Sequence, residues 1–246
     1  MSRFFNCGTS KIFCSTIIPT VARTSLNRAV HSVLSQDVEH FEVIVVNDSG
    51  SILPETDWMA DPRVRVLNTN RRERSVARNT GAACANGEYL HFLDDDDWLL
   101  PGAFSALKEL IQHNKNATWY YGATQLVDRE HKPIIHLRHG LTGNCFTQIM
   151  AGEWIPLQSS FIPAEVFFNL RGFLPGLSSM QDVDLCRRAA LAGDFAETEK
   201  LFPVSEWGKW VAQRAALIIR NIPGGQEINS EYATSVYPHT WIGKRT

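Results

Sequence analysis

Short apolar runs alternate with amphipathic stretches along the first half of the chain. Residues 11–19 (KIFCSTIIP) and 41–48 (FEVIVVND) are rich in β-branched side chains, which predicts two buried strands. Between them, apolar residues recur with helical spacing over residues 26–34, and Thr24 or Ser25 is the expected N-cap. This stretch therefore predicts a strand, a helix and a second strand.

The same alternation continues towards the middle of the chain. A strand is expected over residues 63–67, a helix capped by Ser75 up to about Ala85, a strand over residues 88–93 and a helix from Pro101 to about His113. This order predicts an α/β fold with a mostly parallel central sheet and helices on both faces.

The second half of the chain is less regular, and we expect it to be a smaller mixed region. Predicted strands cover residues 118–128, 132–138 and 158–163; predicted helices cover residues 164–170 and 182–193, with a further helical segment from about Ser205.

Polar residues follow three of the predicted strands. They are Pro19-Thr20, Asn47-Asp48-Ser49 and the four consecutive aspartates Asp94 to Asp97. Ligands of parallel α/β sheets bind outside the carboxyl ends of the strands, so these groups are expected to face one crevice.

The four adjacent aspartates repel one another and need a partner. Carboxylates at a strand end suit a hard divalent cation, Mn²⁺ or Mg²⁺, which also binds phosphate oxygens. The alternative is an acidic turn at the start of the helix that follows Pro101, because acidic residues are favourable at helix N-termini.

Composition narrows the class of protein. Of 246 residues, 44% are hydrophobic and 20% are charged, as in ordinary soluble domains, and a net charge of -2 does not indicate a nucleic-acid partner. Five cysteines without a C-x-x-C pair indicate reduced thiols in a cytoplasmic protein. The chain has neither a recognisable signal peptide nor an apolar run of membrane-spanning length.

Four pieces of the sequence together resemble the family-2 glycosyltransferases, which have the GT-A fold. The pieces are CSTIIPT, FEVIVVNDSG, SVARNTGAACANGEYLHFLDDDDWLLPGAF and FFNLRGFLPGLSSMQDVDLCRRAALAG, spanning roughly residues 12–195. The resemblance implies a divalent-metal-dependent transferase that moves one sugar from a nucleotide sugar to an acceptor hydroxyl, with inversion at the anomeric carbon.

The resemblance also implies roles for individual residues, with Asp94 and Asp96 at the outer positions of the family's D-x-D motif. The implied roles are Pro19 and Thr20 beside the nucleobase, Asp48 on the nucleobase, Asp94 or Asp95 at the ribose, Asp96 at Mn²⁺ or Mg²⁺, and Asp182 as catalytic base. The Asp48 carboxylate can accept the N3–H of uracil or thymine, although guanine offers N–H donors as well. Because the loops after the first two strands are short, a pyrimidine is expected, and a UDP- or dTDP-sugar is favoured over a purine nucleotide sugar.

Three positions depart from the family pattern. Val21 stands where many relatives have an aromatic residue, Asn47 replaces a common Asp, and Gln181 replaces the usual Glu before the base. The Q-x-x-R-W signature of polymer synthases is absent from the sequence, so a single sugar addition is expected.

Basic and aromatic residues provide weaker candidates. Arg72 or Arg74, in a patch that also contains Arg71 and Arg78, is expected at the nucleobase or diphosphate, although such a patch is also typical of a solvated helix N-terminus. The acceptor-side candidates are Trp154, which is alternatively a core residue, and Gln158. Residues 207–220 fit a peripheral membrane contact, a core helix or a homodimer contact.

These assignments give an expected organisation within one structural domain. Residues 1–127 form the nucleotide-sugar-binding half, residues 128–204 the half with the acceptor site and catalytic base, and residues 205–246 a helical extension and tail.

The expected acceptor is a glycan, a lipid-linked saccharide or a small molecule. Two alternatives stay open: a nucleotidyltransferase, although the loop PTVARTS lacks the expected glycine, and a non-catalytic nucleotide-sugar-binding module.

Overall fold

The runs of β-branched residues pair into a single mixed sheet. The structure is a computed structural model and describes residues 11–177 and 179–206. Its strands are β1 (Cys14–Thr20), β2 (Phe41–Asn47), β3 (Val64–Asn68), β4 (Tyr89–Phe92), β5 (Trp98–Leu99), β6 (Trp119–Val127), β7 (Pro133–Leu137), β8 (Ser160–Pro163) and β9 (Phe195–Glu206). Within these residues the strand order is β3-β2-β1-β4-β8-β6-β9-β5, and β7 pairs with β6.

Helices cover both faces of this sheet. They are α1 (Leu26–Leu34), α2 (Arg74–Ala83), α3 (Ala103–His113), α4 (Phe146–Met150), α5 (Ala164–Asn169) and α6 (Gln181–Ala192). Side chains alternate along β2, so Val43 and Val45 pack into the apolar layer of α1 and α3, while Ile44 and Val46 pack into that of α2 and α4 to α6. The predicted α/β architecture is confirmed.

Parallel and antiparallel pairings divide the sheet. Strands β3, β2, β1 and β4 pair in parallel, as predicted for the first half. Strand β8 then joins β4 and β6 in antiparallel fashion, whereas β9 runs parallel to β6 and antiparallel to β5. The parallel part carries the three polar strand ends, and the mixed part lies beyond β4.

Close packing of α2 on the sheet follows from its small residues, as predicted. A Cβ added at Gly81 would lie 2.4 Å from Ile17 Cγ2 on β1, so a larger residue here would push the helix away. This close approach holds the last turn of α2 against Ile17 of β1 and Val46 of β2.

The predicted cap of α2 is wrong. Glu73 is the N-cap, and its carboxylate accepts hydrogen bonds from the N–H groups of Ser75 and Val76, each at 2.8 Å. A carboxylate in this position satisfies two backbone donors at the helix start, whereas a hydroxyl commonly satisfies one. Ser75 is instead a buried residue in the first turn.

Two further predicted boundaries differ from the structure. The helix predicted from residue 182 begins one residue earlier, at Gln181, and Met180 is its N-cap. Ser205 begins no helix but lies in β9, a long strand that the sequence pattern did not predict. The other residues of the proposed C-terminal extension, 207–246, lie outside the described residues, and the boundary at residue 127 stays a prediction.

Other sequence expectations bear on the described residues. Among the described residues, Cys14, Cys84, Cys145 and Cys186 form no disulfide bond. None of the helices within residues 11–177 and 179–206 is long and apolar enough to cross a membrane.

Candidate active site

The three polar strand ends lie side by side, as predicted, because β1 pairs with both β2 and β4. Thr20, at the end of β1, links them directly. Its carbonyl accepts the N–H of Asp48 at 2.8 Å, and its hydroxyl donates to Asp95 Oδ2 at 2.5 Å. Pro19, the residue before it, is half-buried at the same strand end.

Arg78 of α2 is the partner of Asp94. Its Nη2 donates to Asp94 Oδ1 at 2.6 Å, and its guanidinium lies over the ring of Phe173. Burial disfavours the charged form of Asp94, but attraction to Arg78, Arg74 and Arg23 outweighs burial and lowers the pKa of Asp94 below its ordinary value. Asp94 is therefore a carboxylate held charged by arginines.

Arg23 approaches the cluster from the loop after β1. Its Nη1 lies 2.7 Å from Asp95 Oδ1 and 3.0 Å from Asp96 Oδ2, so one nitrogen bridges two adjacent carboxylates. Burial raises the pKa of Asp95, and the nearby charge of Asp96 adds to this, while the Thr20 hydroxyl and Arg23 act against it; the net pKa lies above the ordinary value.

The backbone of the cluster is held by a third arginine. Arg28 of α1 donates from Nη2 to the carbonyl oxygen of Asp96 at 3.2 Å, and its guanidinium stacks 3.7 Å above the Trp98 ring. Its Nη1 donates to His131 Nε2 at 2.8 Å. These contacts fix the turn that carries the aspartates against α1.

Three of the four aspartates fit a divalent metal ion. Carboxylate oxygens of Asp94, Asp96 and Asp97 lie within 4.8 Å of one another, and a set of oxygen donors is what Mn²⁺ and Mg²⁺ prefer. Asp95 is not part of this set, since its oxygens accept hydrogen bonds from Thr20 and Arg23.

Asp48 shapes the loop after β3. Its buried carboxylate accepts hydrogen bonds from the Thr69 hydroxyl at 2.8 Å and from the N–H groups of Arg71 and Glu73 at 2.9 and 2.7 Å. Burial alone would raise the pKa of Asp48, but these donors and the Arg72 N–H outweigh it and lower the pKa. Asp48 thus holds the loop that leads into α2.

The depressed pKa of Asp48 makes a pH-dependent contribution to stability. Because its folded-state pKa lies below the unfolded value, this contribution is present above about pH 4 and is lost as the pH falls through the folded-state pKa. Asp48→Asn is expected to lower the free energy of unfolding by about 1.5–3 kcal/mol at neutral pH.

Urea unfolding of the wild type and Asp48→Asn at neutral and acidic pH tests this prediction. The difference in unfolding free energy should shrink on acidification, and Asp37→Asn, at an exposed position, serves as the matched control. A difference that stays constant down to about pH 3 would show that the charge of Asp48 is not the cause.

Two departures from the family pattern, Asn47 and Gln181, are explained by the hydrogen bonds that their side-chain amides donate. Asn47 Nδ2 donates to the Ser51 carbonyl at 2.7 Å and to Asn68 Oδ1 at 2.9 Å, and Gln181 Nε2 donates to the Leu177 carbonyl at 2.7 Å. A carboxylate in either place could not donate. The amides therefore fix the loops after β2 and before α6.

Asp182, the expected catalytic base, lies in the first turn of α6. It is half-buried, and its Oδ1 accepts the N–H of Val183 at 2.9 Å. Asp184, two residues further along α6, forms an ion pair with Arg188 at 2.6 Å. The two acidic residues of this turn thus have different partners.

A clamp around residues 170–173 connects α2 to α6. The Asn79 side chain donates to the Phe173 carbonyl and accepts its N–H, at 2.7 and 3.0 Å. Arg188 donates to the carbonyls of Leu170 and Gly172. Gly172 has a φ of 62°, and a Cβ there would lie 2.7 Å from Asn79 Oδ1, so glycine is required. The helix that carries Arg78 is thereby tied to the helix that carries Asp182.

The two expected acceptor residues are engaged within the protein. Trp154 is buried, and its ring centroid lies 5.9 Å from that of His139, which agrees with the alternative of a core residue. Gln158 donates from Nε2 to Ser205 Oγ at 3.1 Å, and its main-chain carbonyl accepts from His91 Nε2 at 2.9 Å. Burial lowers the pKa of His91 to about 4, so this imidazole is neutral.

The arginines of the basic patch before α2 make different contacts. Arg71 and Arg72 are exposed, with Arg71 contributing its N–H to Asp48 and Arg72 donating to the Ser49 carbonyl. Arg74 is exposed as well, and its charge helps to lower the pKa of Asp94. Sequence reasoning grouped Arg78 with this patch but missed its ion pair with Asp94.

Arg23 and Arg28 were missed entirely. Their aspartate partners lie 68 to 73 residues away along the chain, and no local pattern marks such contacts. The one available signal was the position of Arg23 in the loop that follows the first strand, at the edge where the acidic cluster was expected.

A cleft lies next to this site, beyond the ends of β2 and β3. It has a volume of about 520 Å³, and its lining is formed by Asn47, Gly50, Ser51, Ile52, Leu53, Glu55, Met59, Val66, Asn68, Thr69 and Asn70. The cleft shares Thr69 with the surroundings of Asp48, while the four aspartates are not among its lining residues.

Comparison with known proteins decides the family. The model of the family described as "Glycosyl transferase family 2" matches residues 15–164, which include the ends of β1, β2 and β4 and the acidic cluster. The chain belongs to glycosyl transferase family 2. The family-2 resemblance stated from the sequence is thus confirmed.

Curated relatives support the same family. An uncharacterized glycosyltransferase of Rickettsia bellii is 30% identical over 142 residues, which cover 55% of this chain and 20% of the relative. A Campylobacter jejuni protein named GalNAc(5)-diNAcBac-PP-undecaprenol beta-1,3-glucosyltransferase is 36% identical over 102 residues, covering 39% of this chain and 33% of that protein. The family-2 chain therefore spans about a fifth to a third of the length of these relatives.

Solved structures confirm the GT-A type of fold. S. aureus TarS 1-349 in complex with UDP-GlcNAc matches with a TM-score of 0.66 at 16% identity, covering 79% of this chain and 58% of that chain. The same TarS fragment has been solved in complex with UDP. At this identity the likeness concerns the fold, and the ligands are those of TarS.

Proposed function

We propose that this family-2 enzyme transfers one sugar from a UDP- or dTDP-sugar to an acceptor hydroxyl, with inversion and with dependence on a divalent metal ion. The observation that carries the proposal is the convergence of Thr20, Asp48 and the four aspartates at one edge of the sheet. Ligands of α/β sheets bind at this edge. The nucleotide complexes of TarS, which has the same fold, support a nucleotide-sugar donor.

The donor is proposed to lie across the ends of β1, β2 and β4. Pro19, Thr20 and Asp48 would flank the nucleobase, with the loop that Asp48 holds on the other side. Asp95 already accepts hydrogen bonds from Thr20 and Arg23, whereas the Asp94 side chain is 44% exposed. We therefore assign the ribose contact to Asp94 and a supporting role to Asp95, with Arg74 near the diphosphate.

Asp96 is the proposed metal ligand, and Asp94 and Asp97 are near enough to contribute oxygens. A bound Mn²⁺ or Mg²⁺ would supply stabilisation of the negative charge that develops on the departing diphosphate. Arg78, Arg74 and Arg23 lower the pKa of Asp94 and so keep this carboxylate charged.

Asp182 is the proposed general base. A single inverting displacement needs one group that accepts the proton of the acceptor hydroxyl on the face opposite the leaving diphosphate. Asp184 is the weaker candidate because Arg188 holds its carboxylate. We propose that the clamp formed by Asn79 and Arg188 sets the position of Asp182 relative to the donor.

The acceptor site is proposed on the side of Trp154 and Gln158, with Gln158 the more accessible of the two. The substrate printed in the name of the Campylobacter relative supports a lipid-linked saccharide as acceptor class. Such an acceptor would bring the enzyme to a membrane surface from the cytoplasm, and residues 207–220, proposed for that contact, lie outside the described residues.

One assay separates the proposed reaction from its two alternatives. The protein is incubated with a panel of nucleotide sugars and Mn²⁺, and the products are followed by NMR. Slow release of a nucleoside diphosphate and free sugar supports the transferase. Formation of a nucleoside triphosphate and a sugar 1-phosphate that requires added pyrophosphate indicates a nucleotidyltransferase. Binding without any turnover, even when glycan and lipid-linked acceptors are added, indicates a binding module and contradicts the proposal.

The base preference gives a separate prediction. UDP and dTDP are expected to bind more tightly than GDP and ADP in the presence of Mn²⁺, because the N3–H of uracil and thymine can donate to Asp48 or to a carbonyl of the loop it holds. Calorimetric titration of the four diphosphates measures this, and tighter binding of GDP or ADP than of both pyrimidine nucleotides would contradict it.

A further inference from the structure

Arg23 differs from the other arginines at the acidic cluster in its freedom to move. Its side chain is 52% exposed and starts from an exposed loop, whereas the side chain of Arg78 is 7% exposed and packs over Phe173. Its partners Asp95 and Asp96 have side chains only 3% and 18% exposed, so the departure of Arg23 would leave their charges poorly solvated unless another cation took its place. Arg23 can therefore leave the carboxylates once a metal ion neutralises them.

The Arg23 guanidinium competes with a metal ion for the carboxylate of Asp96. Arg23 Nη1 lies 3.0 Å from Asp96 Oδ2, and Asp96 is one of the three residues whose oxygens lie within 4.8 Å of one another. A cation bound by Asp96 would then share a carboxylate with a positively charged nitrogen. Two like charges about 4 Å apart in water change a binding constant about fivefold, and more where solvent is excluded.

A metal ion that arrives with a diphosphate has the opposite effect on Arg23. A nucleoside diphosphate carries more negative charge than one divalent cation neutralises, so the complex as a whole is an anion. Guanidinium binds phosphate oxygens well, and the same side chain that repels the bare cation attracts the complex.

We propose that Arg23 acts as an internal counter-ion that makes the site selective for a metal ion bound together with a nucleoside diphosphate over the metal ion alone. This inference rests on the proposed metal site at Asp96. Arg23 is a specificity-determining residue in this account: it stabilises the carboxylates before the donor arrives and turns to the diphosphate afterwards.

The test compares Arg23→Gln with three other proteins. These are the wild type, Asp96→Asn and the control Arg138→Gln, which removes the same charge from an exposed side chain that pairs with Glu199. Binding of Mn²⁺ alone is measured from the electron paramagnetic resonance signal of the free ion. Binding of UDP at saturating Mn²⁺ is measured by calorimetry, and melting temperatures confirm that each variant folds.

Arg23→Gln is expected to bind Mn²⁺ alone about three- to tenfold more tightly than the wild type and to bind UDP with Mn²⁺ about threefold or more weakly. The gain for Mn²⁺ alone should shrink at high salt, since the repulsion is between exposed charges. Arg138→Gln should match the wild type in both measurements.

Other outcomes overturn the inference in distinguishable ways. If Arg23→Gln weakens Mn²⁺ and UDP alike, Arg23 only holds the loop in place, and if it changes neither, Arg23 has no role in selectivity. In both cases the proposed function stands as long as Asp96→Asn loses Mn²⁺. If Asp96→Asn binds Mn²⁺ like the wild type, the proposed metal site is wrong and the inference falls with it.

Discussion

Asp182→Asn is expected to reduce turnover by about 10²- to 10⁴-fold while leaving the affinity for UDP with Mn²⁺ unchanged. The amide has nearly the shape of the carboxylate, and its oxygen can keep the hydrogen bond from the Val183 N–H. It cannot accept the proton of the acceptor hydroxyl. Turnover number and UDP affinity, measured on the same preparation, separate loss of the base from loss of the donor site.

Asp184→Asn is the matched control for this prediction. It removes the partner of Arg188, which also holds the carbonyls of Leu170 and Gly172, so it should lower the melting temperature more than Asp182→Asn does. Its effect on turnover should be the smaller of the two. If Asp182→Asn turns over like the wild type and Asp184→Asn does not, the base assignment moves to Asp184.

Asp96→Asn is expected to abolish the increase in melting temperature that Mn²⁺ and UDP together produce, with the ligand-free protein still folded. A ligand present at 100 times its dissociation constant stabilises a protein by about 2.7 kcal/mol, which is a readily measured shift. The substitution removes one of four crowded charges, and the amide oxygen can still accept a hydrogen bond from Arg23.

The control for Asp96→Asn lies away from the cluster. Asp61→Asn also removes an acidic partner of an arginine, Arg63, and should retain the full ligand shift. A wild-type shift in Asp96→Asn would mean that the metal ion is held by other residues, or that UDP binds without one.

The sequence predicted the elements that position the donor site because their signals are local. A run such as FEVIVVN allows one buried strand with side chains entering both apolar layers, and the polar residues that follow mark its end. Three such ends on adjacent strands were enough to predict a common crevice before any contact was known.

The second half was predicted less well because its pairing is not local. Strand β9 contains four charged residues and Pro203, which hide its strand pattern, and it forms by pairing with β6 about 75 residues earlier and with β5. Tertiary pairing of this kind overrides local propensity. A helix was therefore expected at Ser205 where the structure has a strand.

Side-chain partners were the least predictable part of the site. The clustered aspartates indicated a divalent cation, whereas the structure shows that Arg23 and Arg78 already contact three of the four carboxylates. Asp48 was expected to bind a nucleobase, but in the structure it accepts three hydrogen bonds from the loop after β3. Both sets of contacts depend on which loops come together in the folded protein. Residue type and spacing along the chain do not show this.

The most direct test of the account is a crystal structure of the protein with UDP and Mn²⁺, in which anomalous scattering locates the metal ion. The account predicts one Mn²⁺ coordinated by Asp96 and by diphosphate oxygens, with the uracil beside Thr20 and the loop that Asp48 holds, and with Arg23 turned from Asp95 and Asp96 to the diphosphate. Mn²⁺ bound away from Asp94 to Asp97, or UDP bound in the cleft beyond β2 and β3, would contradict it.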